Sequence, residues 1–167
     1  MTVLVTAAGR HGATVEIAER VAGVLAEAGL PVDLRAPREV ESVSGYDAVV
    51  VGSGVYVGRW VEDARAFAAR HADELAELPT WLFSSGPVGD PPKPGGEGAV
   101  DVREIVDAIR PRGHEVLAGR IDRKALSLAE RVVVKAVGAP SGDYRDWDAI
   151  DGWARAIAAD VAAARSA

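Results

Sequence analysis

The chain contains no cysteine among its 167 residues. This absence excludes disulfides, thiolate nucleophiles, dithiol redox chemistry and cysteine-ligated iron–sulfur clusters. Any redox role must therefore depend on a bound organic cofactor. Histidine is scarce as well, because His11, His71 and His114 stand far apart in the sequence. They lack the paired ligand spacing of a zinc site, and we expect no bound metal.

Positive charge and long apolar runs are also lacking. The 19 Lys and Arg residues are outnumbered by 25 Asp and Glu residues, for a formal net charge of -6. No basic stripe is present to neutralise phosphates, which argues against a nucleic-acid partner. The longest nearly apolar stretch, residues 48–58, is far shorter than the ~20 residues of a membrane-spanning helix. The N-terminus lacks a signal-peptide layout, so we expect a cytoplasmic protein.

Short apolar runs alternate with helical periodicities along the whole chain. The patterns predict five strands and five helices. The strands are expected over residues 3–5, 31–35, 46–53, 80–84 and 114–121, and the helices over residues 17–28, 61–75, 100–109, 126–137 and 146–164. This alternation predicts a three-layer, doubly wound α/β fold with a parallel sheet, in a single domain that spans residues 1–167.

The first strand is followed by a glycine-rich turn and then directly by a helix. In this turn Gly9 and Gly12 permit a close backbone approach, Thr14 offers a hydroxyl and Arg10 offers a cation. Backbone N–H groups at the start of a helix bind anions, so the turn predicts a phosphate site. The alternative is a β–α turn that simply requires glycine, with His11 as a cap of the helix.

Two further turns, residues 53–60 and 84–96, also follow predicted strands. Both are rich in glycine, serine or proline, and the first of them adds Tyr56 and Trp60. In doubly wound sheets ligands bind beyond the carboxyl ends of the strands. Together the three turns predict a site for a phosphorylated planar heterocycle. The alternatives are that Tyr56 and Trp60 pack the loop onto the end of the sheet, and that Arg59 is a surface charge instead of a cation beside a reduced ring.

Four other sites with related sequence signatures are excluded or disfavoured. The glycines of residues 52–58 resemble a dinucleotide fingerprint, but the last spacing is one residue too long and the run follows the third strand. A response-regulator receiver needs acidic residues where Ala7, Ala8 and Gly52 stand. A P-loop and a serine-hydrolase elbow lack their defining residues.

These motifs carry a resemblance to a known family. Residues 9–14 (GRHGAT), the strand 47–53 and the turn 55–60 resemble the flavodoxin superfamily, and within it the branch of menaquinone-dependent protoporphyrinogen oxidases. The similarity continues through residues 83–87 and 146–150. It implies a five-stranded sheet of order 2-1-3-4-5 and FMN as cofactor. The implied phosphate contacts are Gly9, Arg10, His11, Gly12, Ala13 and Thr14. The implied ring contacts are Ser53, Gly54, Val55, Tyr56, Val57, Gly58, Trp60, Ser84, Ser85, Gly86 and Pro87.

The phosphate turn departs from the flavodoxin pattern in one respect. Thr14 is its only hydroxyl, whereas Ala8 and Gly9 stand where serine or threonine is usual. Backbone amides and Arg10 are the groups that can replace the missing hydroxyls.

The resemblance also implies an activity: oxidation of protoporphyrinogen IX with a quinone as acceptor, in heme biosynthesis. No residue has the marks of a general acid, base or nucleophile, which suits a reaction carried by a flavin. Two alternatives remain, a flavodoxin-type electron carrier and a binding module that has lost FMN. The few charges around the predicted ring favour the enzyme, since a carrier needs an acidic rim.

Residues 122–144 exceed what a minimal five-stranded fold of this kind needs. The segment is more apolar than a solvated connection and carries Arg123, Lys124, Arg131 and Lys135. One interpretation is a short helix that covers the edge strand. The other is a docking surface for a protein partner or for the inner face of the membrane, where a quinone dissolves and where Val133 and Val137 would contribute apolar area.

Overall fold

A computed structural model of the chain describes residues 1–86, 100–122, 124–136 and 141–166. The strands are β1 (Val3–Ala8), β2 (Val32–Arg35), β3 (Ala48–Tyr56), β4 (Arg59–Trp60), β5 (Thr80–Ser85), β6 (Gly113–Leu117), β7 (Arg120–Ile121) and β8 (Gly142–Asp143). The helices are α1 (Ala13–Glu27), α2 (Glu62–Arg70), α3 (Ala72–Glu77), α4 (Arg103–Ile109), α5 (Leu128–Ala136) and α6 (Trp147–Ser166). A 3₁₀ turn spans Pro37–Glu39.

Five parallel strands form the main sheet in the order β2-β1-β3-β5-β6. The order predicted from the resemblance is therefore confirmed, as is the doubly wound fold. In the central register Ala8 pairs with Ser53 and Ser53 pairs with Ser84. The carboxyl ends of β1, β3 and β5 consequently lie side by side, and the turns that follow these strands leave from one edge of the sheet.

The side chains of the sheet alternate between two cores, as the period of two in a strand requires. On one face Val3, Val5 and Val50 pack against α1 and α6. On the other face Leu4, Val49 and Val51 pack against α2, α3 and α4. Both faces of the central strands are buried, which explains why these strands are continuous apolar runs in the sequence.

Several predicted elements differ in extent from the observed ones. The helix predicted over residues 61–75 is two helices, α2 and α3, and His71 stands between them with its ring 4.9 Å from that of Phe67. The strand predicted over residues 114–121 ends at Leu117, because Arg120 and Ile121 leave the main sheet and pair with Gly142 and Asp143 in a separate ribbon.

Candidate functional site

The turn between β1 and α1 is built around Thr14 and two glycines. A Cβ atom added to Gly9 would lie 2.6 Å from Thr14 Oγ1, and one added to Gly54 would lie 3.1 Å from the same atom. The Thr14 hydroxyl therefore packs against the backbone of Gly9 and Gly54, and a side chain at either position would crowd it. Gly12 is the N-cap of α1 with a φ of 82°, and no side chain caps this helix end. The N-terminus of α1 offers its N–H groups without an internal acceptor, as an anion site requires.

The turn after β3 is a tight hairpin that was predicted only as a loop. β4 pairs with the end of β3, so that Tyr56 lies opposite Arg59. The two connecting residues, Val57 and Gly58, have φ values of 50° and 72°. Such a left-handed pair is typical of two-residue hairpin turns, but a β-branched residue in this conformation is strained. Val57 is also largely exposed at the tip.

An open groove of about 370 Å³ separates the phosphate turn from this hairpin. Its walls come from both turns and from the start of α2, with Ala8, Gly9, Arg10, Tyr56, Arg59, Trp60, Val61, Glu62, Asp63 and Arg65 among the lining residues. The guanidinium carbon of Arg10 lies 3.7 Å from the centre of the Tyr56 ring, in a cation–π contact. The two residues that sequence reasoning selected as a cation and an aromatic platform are thus in direct contact.

Three predicted ring contacts are interior residues that hold the sheet end together. Trp60 is 2% exposed, and its indole Nε1–H donates to Ser84 Oγ at 2.7 Å. Ser84 is fully buried, and its hydroxyl also lies 2.8 Å from His114 Nε2. The hydroxyl of Ser53 accepts a hydrogen bond from Val61 N at 3.0 Å. The position of Trp60 fits the alternative, in which the loop packs onto the sheet end, and its predicted contact with the ring stays a prediction.

The third turn begins beside the second. A Cβ atom added to Gly86 would lie 3.6 Å from that of Val55, and Gly86 N donates to Leu117 O at 2.7 Å. Gly86 has a φ of 112°, which favours glycine. Ser85, the last residue of β5, is buried. Pro87 and residues 88–96, which complete the predicted turn, lie outside the described residues.

An acidic residue that sequence reasoning missed reaches the phosphate turn from α5. The Glu130 carboxylate lies 3.0 Å from Arg10 Nη1 and 3.1 Å from His11 Nε2. Its other oxygen accepts a hydrogen bond from Ser127 N at 2.8 Å. The Ser127 N–H and the Arg10 guanidinium lower the pKa of Glu130 to about 2. No local sequence pattern indicates this contact, because 120 residues separate Arg10 from Glu130.

A second charged cluster, also missed, fastens the β7–β8 ribbon to the first turn of α1. The buried Arg145 guanidinium donates to Glu16 and to both oxygens of Asp143. These bonds lower the pKa values of both carboxyls. Arg120 adds longer contacts, at 3.3 Å to Glu16 and 3.4 Å to the carbonyl of His11. The base of the extra segment is thereby attached directly behind the phosphate turn.

The described side chains of α5 other than that of Glu130 are exposed. Leu128 and Val132, one turn apart on α5, are 80% and 67% exposed. The segment therefore does not cover the edge strand with these two side chains. Val137 lies outside the described residues, and so does the side chain of Val133. Within the described parts of the chain, no helix combines the length and apolarity that crossing a membrane demands.

Comparisons with known proteins agree with this geometry. The model of the Flavodoxin domain family matches residues 4–148. A relative from Escherichia coli K12, described as protoporphyrinogen IX dehydrogenase [quinone], is 26% identical over 172 residues, which cover 95% of each chain. Proteins of the same description from Escherichia coli O6:H1 and O157:H7 match equally. The resemblance inferred from the sequence motifs is confirmed.

Solved structures share the fold at low sequence identity. A cysteine-to-serine mutant of flavodoxin from Pseudomonas aeruginosa has a TM-score of 0.59 at 18% identity, and the match covers 96% of this chain and 99% of that one. The rubredoxin oxygen:oxidoreductase of Desulfovibrio gigas has a TM-score of 0.67 at 14% identity over 99% of this chain. This chain spans only 37% of the length of that protein.

The family model covers most of the chain, including the phosphate turn and the hairpin that carries Tyr56. The sheet order is the one expected of such a domain. The expectation that FMN is the cofactor is confirmed by the family match, because flavodoxin domains bind FMN. By its sequence match and its sheet topology alike, this chain belongs to the flavodoxin domain family.

Proposed function

We propose that the chain is an FMN-dependent oxidoreductase whose cofactor lies in the groove between the phosphate turn and the Tyr56 hairpin. The observation that carries this proposal is the position of the Thr14 hydroxyl, which packs against two glycines. This hydroxyl lies at the N-terminus of α1, against the backbone of Gly9 and Gly54. A side chain at position 9 or 54 would crowd it. A phosphate at this position would meet the uncapped N–H groups of α1, the Thr14 hydroxyl and the Arg10 guanidinium.

The hairpin supplies the surface for the ring. Tyr56 borders the groove, and Val57 projects from the tip of the hairpin. We assign the ring contacts to Gly54, Val55, Tyr56, Val57 and Gly58, together with Ser85 and Gly86 of the neighbouring turn. Ser53, Trp60 and Ser84 support these contacts from beneath, through the hydrogen bonds that hold the strand ends in place.

The protein's part in the reaction is binding and orientation. Bound FMN supplies the electron acceptor, which takes one or two electrons from a substrate. The groove residues would hold the phosphate and orient the ring of the cofactor. Arg59 lines the groove beside Tyr56, and we assign it the stabilisation of negative charge on the reduced ring.

For the substrate we propose protoporphyrinogen IX, oxidised with a quinone as acceptor in heme biosynthesis. The support is the Escherichia coli relative, whose match covers 95% of both chains. The second candidate is a flavodoxin-type electron carrier. The charges of the groove favour the enzyme, because Arg10, Arg59 and Arg65 stand among Glu62 and Asp63. A carrier that docks on basic partners would need an acidic rim instead.

Titration with flavins tests the site itself. The double variant Arg10→Ala/Thr14→Val should weaken FMN binding about 10- to 100-fold, because it removes one charge-assisted and one neutral hydrogen bond to the phosphate. Binding of riboflavin, which has no phosphate, should change less than about threefold. Flavin fluorescence quenching measures both constants, and Arg103→Ala, at the exposed first residue of α4, serves as the control. If wild-type protein binds neither flavin at micromolar concentration, the proposal is wrong.

Turnover tests the reaction and the role of α5. We propose that α5 brings the site to an anionic membrane surface, where Leu128 and Val132 insert beside the exposed Lys124 and Lys135. With protoporphyrinogen IX as donor, Leu128→Ser/Val132→Ser should lower reduction of a quinone dissolved in anionic vesicles about 30-fold, since about 2 kcal/mol of apolar contact is lost. Reduction of a water-soluble quinone should stay at the wild-type rate.

The other outcomes of this experiment are equally informative. Equal loss with both quinones would contradict membrane docking and point to a structural role for α5. Electron transfer to a protein acceptor such as a cytochrome, with no quinone reduction, would favour the carrier.

A further inference from the structure

Glu130 is a buried carboxylate at the proposed phosphate site, contributed by a distant part of the chain. Its side chain is 8% exposed and lies within hydrogen-bond distance of Arg10 Nη1 and His11 Nε2. With a pKa of about 2, the carboxyl is ionised at neutral pH. The phosphate turn thus already binds one anion, the Glu130 carboxylate, through Arg10 and His11. A phosphate could use the same two side chains.

The same contact links α5 to the phosphate turn. Of the α5 side chains whose positions are described, only that of Glu130 is buried, whereas Leu128, Ala129, Arg131, Val132, Lys135 and Ala136 are exposed. Apolar burial by these described residues contributes little to holding the helix. Among the α5 side chains whose positions are described, that of Glu130 therefore attaches the helix to the phosphate turn, through its contacts with Arg10 and His11.

Arg10 does not need Glu130 for its orientation. The guanidinium stacks on the Tyr56 ring at 3.7 Å, and this contact involves no part of α5. The Arg10 side chain is about half exposed, and it lines the groove. Removal of the Glu130 charge would therefore leave the cation in place and free it from a competing anion.

We infer that Glu130 competes with the phosphate of FMN for Arg10 and His11, and that flavin occupancy consequently loosens α5. This inference rests on the proposed FMN site. A phosphate carries more negative charge than a carboxylate and also uses the N–H groups of α1, so it displaces Glu130 from the shared donors. Two charged residues lie next to this site. Arg120 donates to the His11 carbonyl and to the Glu16 carboxylate, and these hydrogen bonds remain in place.

The variant Glu130→Gln tests the competition, because it keeps the shape of the side chain and removes its charge. The dissociation constant of FMN should fall about tenfold, as expected when a like charge a few ångströms from the phosphate is removed. That of riboflavin should stay within about twofold of the wild-type value. Glu27→Gln, at the exposed far end of α1, is the matched control for net charge. In an Arg10→Ala/His11→Ala background the gain from Glu130→Gln should disappear.

Amide hydrogen exchange over residues 124–136 tests the coupling to α5. FMN should accelerate exchange in this segment of the wild-type protein, riboflavin should not, and Glu130→Gln should accelerate it without any flavin. Weaker FMN binding in Glu130→Gln, equal shifts for both flavins, or protection of α5 by FMN would overturn the inference. If wild-type protein binds neither flavin, the proposed FMN site fails. Unchanged exchange in flavin-free Glu130→Gln would separately refute the attachment of α5.

Discussion

Replacement of Gly52 by alanine is expected to lower the free energy of unfolding by about 3 kcal/mol, the upper part of the usual range for overpacked cores. Gly52 lies opposite Phe83 in the register between β3 and β5. A Cβ atom at position 52 would lie 2.0, 2.2 and 2.6 Å from three atoms of the Phe83 ring. The ring has little room to move, because Phe83 is fully buried and packs edge-on against Trp153. Urea denaturation measures the effect.

Two further variants make this test specific. Gly23→Ala, in the middle of α1 with no heavy atom within 4 Å of the added Cβ, should instead raise the free energy of unfolding by about 0.5–1 kcal/mol. Combining Gly52→Ala with Phe83→Leu should recover part of the loss, because the smaller side chain makes room. An unchanged stability of Gly52→Ala would mean that the sheet relaxes at this position, contrary to the close packing described above.

Trp60→Ala should cost about 3–5 kcal/mol of stability, the usual loss for a buried aromatic residue. Trp60→Phe, which mainly removes the hydrogen bond to Ser84, should cost only about 1–2 kcal/mol. Because the indole is 2% exposed, FMN affinity of Trp60→Phe should stay within about twofold of that of the wild type. Chemical denaturation and fluorescence quenching provide the two measurements.

Tyr56→Ala is the comparison that separates the two aromatic residues. Tyr56 borders the groove and is only partly buried, so its loss should weaken FMN binding while stability changes by about 1 kcal/mol or less. If Trp60→Phe weakened FMN binding as much as Tyr56→Ala, Trp60 would have to contact the ring, and its assignment to the core would fall.

The fold could be predicted from the sequence because its signals are local. A strand buried on both faces is a continuous apolar run, and a helix with one buried face repeats its apolar residues every three to four positions. The boundaries were less accurate where tertiary contacts decide them. β6 ends at Leu117 because Arg120 and Ile121 find a partner in Gly142 and Asp143, and no feature near residue 120 reveals this pairing.

By itself, the sequence determined the order of elements, the three turns at one edge of the sheet and the glycines of the phosphate turn. Each of these follows from short-range sterics and hydrophobic period, which a dozen neighbouring residues specify. Only the tertiary structure decided that Trp60 and Ser84 face inward and that Glu130 holds Arg10 and His11. A side chain's partner across 24 or 120 residues depends on how the layers pack, and charge or aromaticity alone does not say which neighbour it will meet.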